Sequence, residues 1–249
     1  MRLDHGVLRA DPLDGLEALR LTYGGARPQD VLAGVYAEFP DEVALVSSFG
    51  ADAAVLLHMV SEIDPGFPVL MLETQMLFRE TLDYQAELSA RLGLTNVRNL
   101  RPDPSDLRAV DPAGTLHQTD TDACCEIRKV EPNYRALEGK RAWIAGMRRD
   151  QSKTRKEIGI VEWDTKFNLV KLNPLAAWDE RQVWSYIMTN GVPYNELHDK
   201  SYPSIGCTYC TKPVAKGADP RSGRWTGFDK EECGIQEGSV TILENEGKI

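Results

Sequence analysis

Short apolar runs alternate with longer amphipathic stretches along most of the chain, and that rhythm predicts an α/β architecture. The first forty residues read as helical: Leu16 to Tyr23 stops at Gly24-Gly25, and Pro28 to Phe39 stops at Pro40. Val43-Ala44-Leu45-Val46-Ser47-Ser48 then has the length and apolarity of a buried strand. Phe49-Gly50-Ala51 leads into a helical pattern from Asp52 to Ile63, which ends at Asp64-Pro65-Gly66. Val69-Leu70-Met71-Leu72 reads as a second buried strand before a helix from Arg79 to Leu92. Val97 to Leu100, Ala142 to Ala145 and Leu169 to Leu172 are further strand candidates, and Glu180 to Met188 is a last helix. Strands alternating with helices give parallel β-α-β units, hence an open, mostly parallel sheet with helices on both faces. Ligands in such sheets bind beyond the carboxyl ends of the strands. The expected organisation is a helical segment over residues 1–40, a main domain over 41–225 and a C-terminal tail over 226–249. The end of that tail, from about Gly234, is polar, rich in Gly and Glu, and expected to be mobile.

Composition narrows the function classes. At 249 residues, 42% hydrophobic and 27% charged, the chain is an ordinary globular domain large enough for a sizeable core. It lacks an apolar run near the roughly 18 residues a membrane helix needs, and its first residues lack the apolar stretch of a secretory signal. A soluble cytoplasmic protein is expected. A net charge of −9 argues against nucleic acid and against an anionic membrane as partners. Against that acidity one basic cluster stands out: Arg148, Arg149, Lys153, Arg155 and Lys156 make five of the nine residues 148–156 basic. Such a run is a solvated face or an oxyanion site; charge alone leaves both open.

Candidate chemistry lies in a turn and in the cysteines. Ser47-Ser48-Phe49-Gly50-Ala51-Asp52 links the first strand to its helix. Small residues there let backbone amides and serine hydroxyls approach an anion, although the same turn could be an ordinary one with Asp52 capping the helix. Five cysteines in a reducing compartment favour metal or redox chemistry over disulfides. Cys124 and Cys125 are adjacent, and Cys207-Thr208-Tyr209-Cys210 is a C-x2-C pair about eighty residues later. C-x2-C alone fits zinc or an iron–sulfur cluster. Adjacent thiolates on one helix point about 100° apart and share one ion poorly, whereas a cubane offers separate iron corners, so a cluster is the better reading. Cys233, alone near the end, would by itself be unremarkable. The histidines His5, His58, His117 and His198 show no ligand spacing and read as structural or surface residues.

Here a family resemblance enters. The turn after the first strand is similar to the phosphate loop of the adenine-nucleotide α-hydrolases, whose ATP-cleaving members read Ser-Gly-Gly-x-Asp-Ser; this chain has Phe49 at the first glycine and Ala53 at the final serine. Those departures suit a relative that binds a nucleotide without cleaving its phosphates. The segments 124–132 and 207–214 resemble the cluster segments of bacterial and plant-type adenylyl-sulfate reductases. Gly146 to Ser152 resembles their basic substrate segment, Asp219 to Trp225 their arginine loop, and Lys230-Glu231-Glu232-Cys233-Gly234-Ile235 their C-terminal catalytic motif. The likeness runs from about residue 40 to 236. Relatives usually carry Asp-Thr-Gly where this chain has Glu73-Thr74-Gln75, and a histidine where it has Gln236.

The resemblance implies an assimilatory, thioredoxin-dependent reductase of adenylyl sulfate, within sulfate assimilation and cysteine biosynthesis. It implies a [4Fe-4S] cluster on Cys124, Cys125, Cys207 and Cys210, and Cys233 as the nucleophile. Substrate contacts would come from Ser47, Ser48, Gly50, Leu72, Lys129, Gly146, Arg148, Arg149, Arg155, Arg221 and Arg224. Lys129 lies one helical turn past Cys125, able to face cluster and substrate, and the arginines could clamp phosphate and sulfate in forked geometry. Glu231 and Glu232 should raise the Cys233 pKa in an open tail, and docking against the cations should lower it. A homo-oligomer is expected. The rivals are a reductase preferring the 3′-phosphorylated nucleotide, a zinc-bearing RNA-modifying relative, and a non-catalytic sensor on the same fold.

Overall fold

A computed structural model describes residues 12–236 and 239–240. Two helices open it, α1 (Pro12–Tyr23) and α2 (Pro28–Glu38). Then β1 (Val43–Ser47), α3 (Ala51–Ile63), β2 (Val69–Leu72), α4 (Arg79–Leu92) and β3 (Val97–Leu100) alternate as the apolar pattern predicts. A long crossover follows, carrying α5 (Pro104–Val110), α6 (Thr121–Cys125) and α7 (Glu131–Leu137), before β4 (Ala142–Ile144). The chain ends with the strands β5 (Val161–Asp164) and β6 (Leu169–Leu172), helix α8 (Glu180–Thr189) and the two-residue strand β7 (Ser239–Val240).

The seven strands form one sheet in the order β3-β2-β1-β4-β6-β5-β7. Strands β3, β2, β1, β4 and β6 run parallel; β5 is antiparallel to β6 and to β7. Every residue of β1, β4 and β6 is buried, which requires helices on both faces. The mostly parallel sheet expected from the sequence is therefore present, and β5 and β7 are additions to it. Leu16, Leu19, Val31, Leu32 and Val35 of α1 and α2 share one apolar core with β1, α3 and β4. The Arg20 guanidinium also donates to the Val161 carbonyl of β5 at 3.3 Å. Residues 237–238 and 241–249, on which the expected mobile tail largely falls, lie outside the described residues, as does His5.

Chain order explains where a site should form. From β1 the sheet grows toward β2 and β3, and the crossover then returns the chain to the other side of β1 as β4. The carboxyl ends of β1 and β4 are thus the switch point at which an open sheet leaves a crevice.

Candidate active site

Three loops surround the switch point. After β1, the amide of Phe49 donates to the Ser47 hydroxyl at 3.2 Å, so Ser47 is buried in the turn while Ser48 is exposed. Gly50 begins α3, and no side chain caps the helix. Asp52 therefore does not cap it, contrary to the alternative the sequence allowed. It reaches the loop after β4 instead, accepting from Arg148 Nε and from Gln151 Nε2, the latter at 2.8 Å. The uncapped first-turn amides of α3 are left facing the crevice end of β1, a suitable anion seat. Gly146 packs against this turn, where an added Cβ would stand at van der Waals distance from Asp52 Cβ and Ala53 N.

Two backbone positions carry information about the departures from the family pattern. Phe49 has φ 52° and Gln75 φ 61°, both left-handed, and each stands where relatives have glycine. A left-handed backbone at a non-glycine residue costs on the order of 1 kcal/mol at each position. Fully buried Phe49 recovers this through core packing. Leu72 pairs with Leu100 of β3 beyond the last β1 partner, Met71, leaving its backbone edge open toward β1.

The cysteines come from two segments brought to one place. Asp120 caps α6, accepting from the amides of Asp122 and Ala123 at 3.1 and 2.9 Å. The helix continues past Cys125 through a wider π-helical turn, Glu126–Val130, which buries Arg128, Lys129 and Val130 in succession. An unbroken α-helix would have turned one of these outward, and such turns recur at functional sites. Arg128 pairs with Asp111 at 2.7 Å and donates to the Thr74 carbonyl at 3.1 Å, locking α6 to the end of β2. The Thr74 hydroxyl in turn lies 3.2 Å from Cys207 Sγ. Cys207 bridges Leu77, the Thr208 amide donates to the Met76 carbonyl at 2.8 Å, and the Cys210 carbonyl accepts from the Trp225 amide at 3.1 Å.

All five cysteines are free thiols, and Cys124, Cys125 and Cys207 are buried. Cys124 feels the charges of Cys207 and Cys210, and burial pushes its thiol up to about 11. Cys210 is raised by burial as well. Lys129 lies among Cys207, Cys233 and Cys125; burial alone would lower its ammonium pKa, but these sulfurs raise it. Among the described residues no carboxylate stands within ion-pair distance of Lys129, and no three His, Cys, Asp or Glu side chains converge closely enough to hold one metal ion. Thr211 Oγ1 and Trp225 Nε1, both buried beside the C-x2-C segment, have no hydrogen-bond partner among the described residues. Four soft thiols, a buried cation lacking a carboxylate and spare donors at the rim fit an anionic iron–sulfur cluster.

The tail lies across this site. Lys230 pairs with Asp122, and Lys166 Nζ donates to the Gly234 carbonyl at 2.7 Å. Gly234 sits so close to the π-helical turn that a Cβ would stand 3.2 Å from Val130 Cγ2. The neighbouring Cys125 thiol first, then Lys129, the Ile235 amide and Arg224, hold the Cys233 thiol well below its ordinary value against the opposing effect of burial.

Each of the basic residues has partners of its own within the chain. Arg148 is held by Asp52 and Asp150, and Arg149 by the Ile158 carbonyl at 2.8 Å. Arg155 and Arg221 both bond Glu232. Arg224 donates to the Cys210 carbonyl and Ser204 and lies over Trp225 at 4.4 Å. Arg128 and Glu232 were not singled out as site residues from sequence. For Arg128 a signal existed, since it follows Cys124 by the same four residues that separate Lys129 from Cys125.

Gly223 couples the arginine loop to the C-x2-C segment: its carbonyl accepts from the Lys212 amide at 2.9 Å, and Thr211 bridges Arg224. A Cβ at Gly223 would overlap the Lys212 backbone oxygen. Gly223→Ala is expected to cost about 1–3 kcal/mol, read as a fall of several degrees in Tm.

Comparison with known proteins agrees with this arrangement. Residues 42–213 match the phosphoadenosine phosphosulfate reductase domain family. The adenosine 5′-phosphosulfate reductase of Mesorhizobium japonicum is 46% identical over 240 residues, covering 96% of this chain and 92% of that protein. The phosphoadenosine 5′-phosphosulfate reductase of Gloeobacter violaceus is 45% identical over 88% of this chain and 92% of its own length. Among solved structures, the phosphoadenylyl-sulfate (PAPS) reductase of Candida auris in a phosphate complex superimposes with a TM-score of 0.67 at 29% identity, over 80% of this chain and 96% of that one. FMN adenylyltransferase of Candida glabrata shares the fold alone, with a TM-score of 0.56 at 17% identity over 84% of this chain and 77% of that one. Matched over more than half its length by the family and covered almost end to end by a relative at 46% identity, the chain belongs to the phosphoadenosine phosphosulfate reductase family.

Proposed function

We propose that the protein is a cytoplasmic, thioredoxin-dependent adenylyl-sulfate reductase in which Cys233 is the nucleophile. The observation that carries this reading is the seating of the Cys233 thiol beside Lys129 and Arg224, next to the loops at the carboxyl ends of the strands. The Cys233 thiolate attacks the sulfur of adenylyl sulfate. An S–S bond forms, the S–O bond to the phosphate breaks, and AMP leaves with the electron pair. A donor thiolate then attacks Cys233 Sγ and releases sulfite, and the donor's second thiol resolves the mixed disulfide. The two electrons gained by sulfur are those lost by the donor dithiol.

The chain's own residues bind, orient and hold charge. The open Leu72 edge is available to adenine, and the α3 amides with Ser48 to phosphate. Lys129 and Arg224, whose charges act on the Cys233 thiol, would stabilise the sulfate as it meets that thiol. Cys124, Cys125, Cys207 and Cys210 would hold a [4Fe-4S] cluster, which would organise these cations and add electrostatic bias near the sulfate. With Cys125 committed as a ligand, its proton is unavailable to Cys233; Lys129, Arg224 and the Ile235 amide are then left to favour the thiolate.

The test is anaerobic purification with iron and sulfide analysis, followed by sulfite release from the two nucleotides. Expected are a brown protein with about four irons per chain and turnover of adenylyl sulfate. The 45% identity to a protein named for the phosphorylated nucleotide supports the second reading, and faster turnover of that nucleotide would establish it. A colourless, iron-free, inactive protein would remove the first.

A further inference from the structure

We propose that Glu232 is the seat of the tail: a positioning residue whose carboxylate, gripped by Arg155 and Arg221, sets Cys233 at the site. This rests on Cys233 being the nucleophile. Arg155 grips the carboxylate in a fork, Nε to Oε1 at 2.8 Å and Nη2 to Oε2 at 2.5 Å. Thr154 Oγ1 and Ser152 Oγ also donate to Oε1, at 2.8 and 3.3 Å, and Arg221 Nη2 lies 3.2 Å from Oε2. These five donors, three on Oε1 and two on Oε2, leave no lone-pair site of the carboxylate without a partner. Only 14% of the Glu232 side chain is exposed, with Arg155 at 10% and Arg221 at 15%. Arg221 also donates to the Glu231 carbonyl at 2.5 Å, so the backbone is fixed one residue before the seat as well as at it.

This geometry divides the basic residues differently from a common oxyanion clamp. The seat lies one residue before Cys233, and a backbone fixed on both sides of a nucleophile fixes the nucleophile. With the tail down Glu232 engages Arg155 through Nε and Nη2 and Arg221 through Nη2, while Lys129 and Arg224 are the cations that most favour the Cys233 thiolate. Burial and the like charge of Arg155 lower the Arg221 guanidinium to about 10, so the pair needs a counter-charge in place. Burial alone would raise the Glu232 carboxyl, but Arg155, Arg221 and Thr154 hold it below its ordinary value, and it supplies that charge. A rival account makes the carboxylate a place-holder for a substrate oxyanion, displaced when nucleotide binds.

Glu232→Gln, Glu232→Asp and Cys233→Ser separate these accounts. With adenylyl sulfate and no thiol donor, a single turnover reads transfer of a sulfo group to Cys233 by mass spectrometry. AMP binding and hydrogen exchange of the 230–236 amides are read in parallel. Glu232→Gln is expected to slow sulfo transfer about 10²-fold, the usual cost of an ångström-scale misplacement, with AMP affinity within twofold of the parent and faster exchange over 230–236. Glu232→Asp, with the charge kept and the reach shortened, should fall between. Transfer at the parental rate in both Glu232 variants overturns the proposal, and so does tighter AMP binding with faster transfer, which identifies a place-holder. Cys233→Ser that still releases sulfite sinks the nucleophile assignment itself, an outcome distinct from either.

Discussion

Replacing Cys233 with serine is expected to abolish sulfite release, by about three orders of magnitude or more, while leaving iron content, AMP binding and Tm at parental values. The swap changes one atom at a half-buried position and leaves a slightly smaller side chain of the same shape, so neither the π-helical turn nor the seat at Glu232 need move. What changes is the chemistry. A thiol ionises near 8.5 when unperturbed, and Lys129 and Arg224 favour its anion; a serine hydroxyl stays protonated beside the same cations. No other cysteine can substitute. Cys124, Cys125, Cys207 and Cys210 are committed to the cluster in the proposed function, and the chain has five cysteines in all. Sulfite release by the serine variant, measured with dithiol donor and adenylyl sulfate, would exclude Cys233 as nucleophile.

The second large effect concerns stability. Arg128→Met is expected to cost about 3–5 kcal/mol, lowering Tm by roughly 10 °C or more. The Arg128 and Asp111 side chains are 5% and 2% exposed. Burial pushes the Asp111 carboxyl up, but Arg128 and the Leu116 amide outweigh it and hold it below its ordinary value. Without Arg128 the carboxylate is left buried and the Thr74 carbonyl loses its donor. If the cluster of the proposed function is bound, loss of iron should accompany loss of stability, because Arg128 joins the helix bearing Cys124 to Thr74, which touches Cys207. Adding Asp111→Leu should restore most of the stability, since replacing both charges by apolar groups removes the orphan. Urea unfolding of the single and double variants checks this, and equal stability of Arg128→Met and parent would refute it.

Much of the framework was legible because apolar runs of strand length are hard to mistake. β1, β2, β3 and β6 lie within a residue of their predicted bounds, and so do α3, α4 and α8. β5 was missed for a physical reason. Val161-Glu162-Trp163-Asp164 alternates as a strand should, yet its polar members are buried, at 2% for Glu162 and 0% for Asp164, so the alternation does not mark an outer face. β7 is two residues in a polar tail, and no periodicity can be read from two residues. In the site, the cysteine spacing was visible because few side chains have that chemistry. The partners of the arginines were not visible. A guanidinium that awaits an oxyanion and one that holds a carboxylate nearly eighty residues away, as Arg155 holds Glu232, look alike in sequence. Glu232 illustrates the converse: beside Cys233 in sequence it reads as a charge opposing the thiolate, and in the fold its charge is absorbed by two arginines.

The pairing of Ser239 and Val240 with β5 changes what kind of object the segment around Cys233 is. Trp225 is buried on one side of Cys233 and Ser239–Val240 pair with the sheet on the other, so Cys233 lies on a strap held on both sides rather than on a free arm. A free arm could carry its cysteine out to a donor; a strap can only bow. In the proposed mechanism a sulfonated Cys233 would be met close to where it was formed, and the donor would have to present its thiol on a protruding surface that fits against the enzyme. A strap also keeps the cysteine at high local concentration over the crevice after each turnover, so re-closing needs no search through solution.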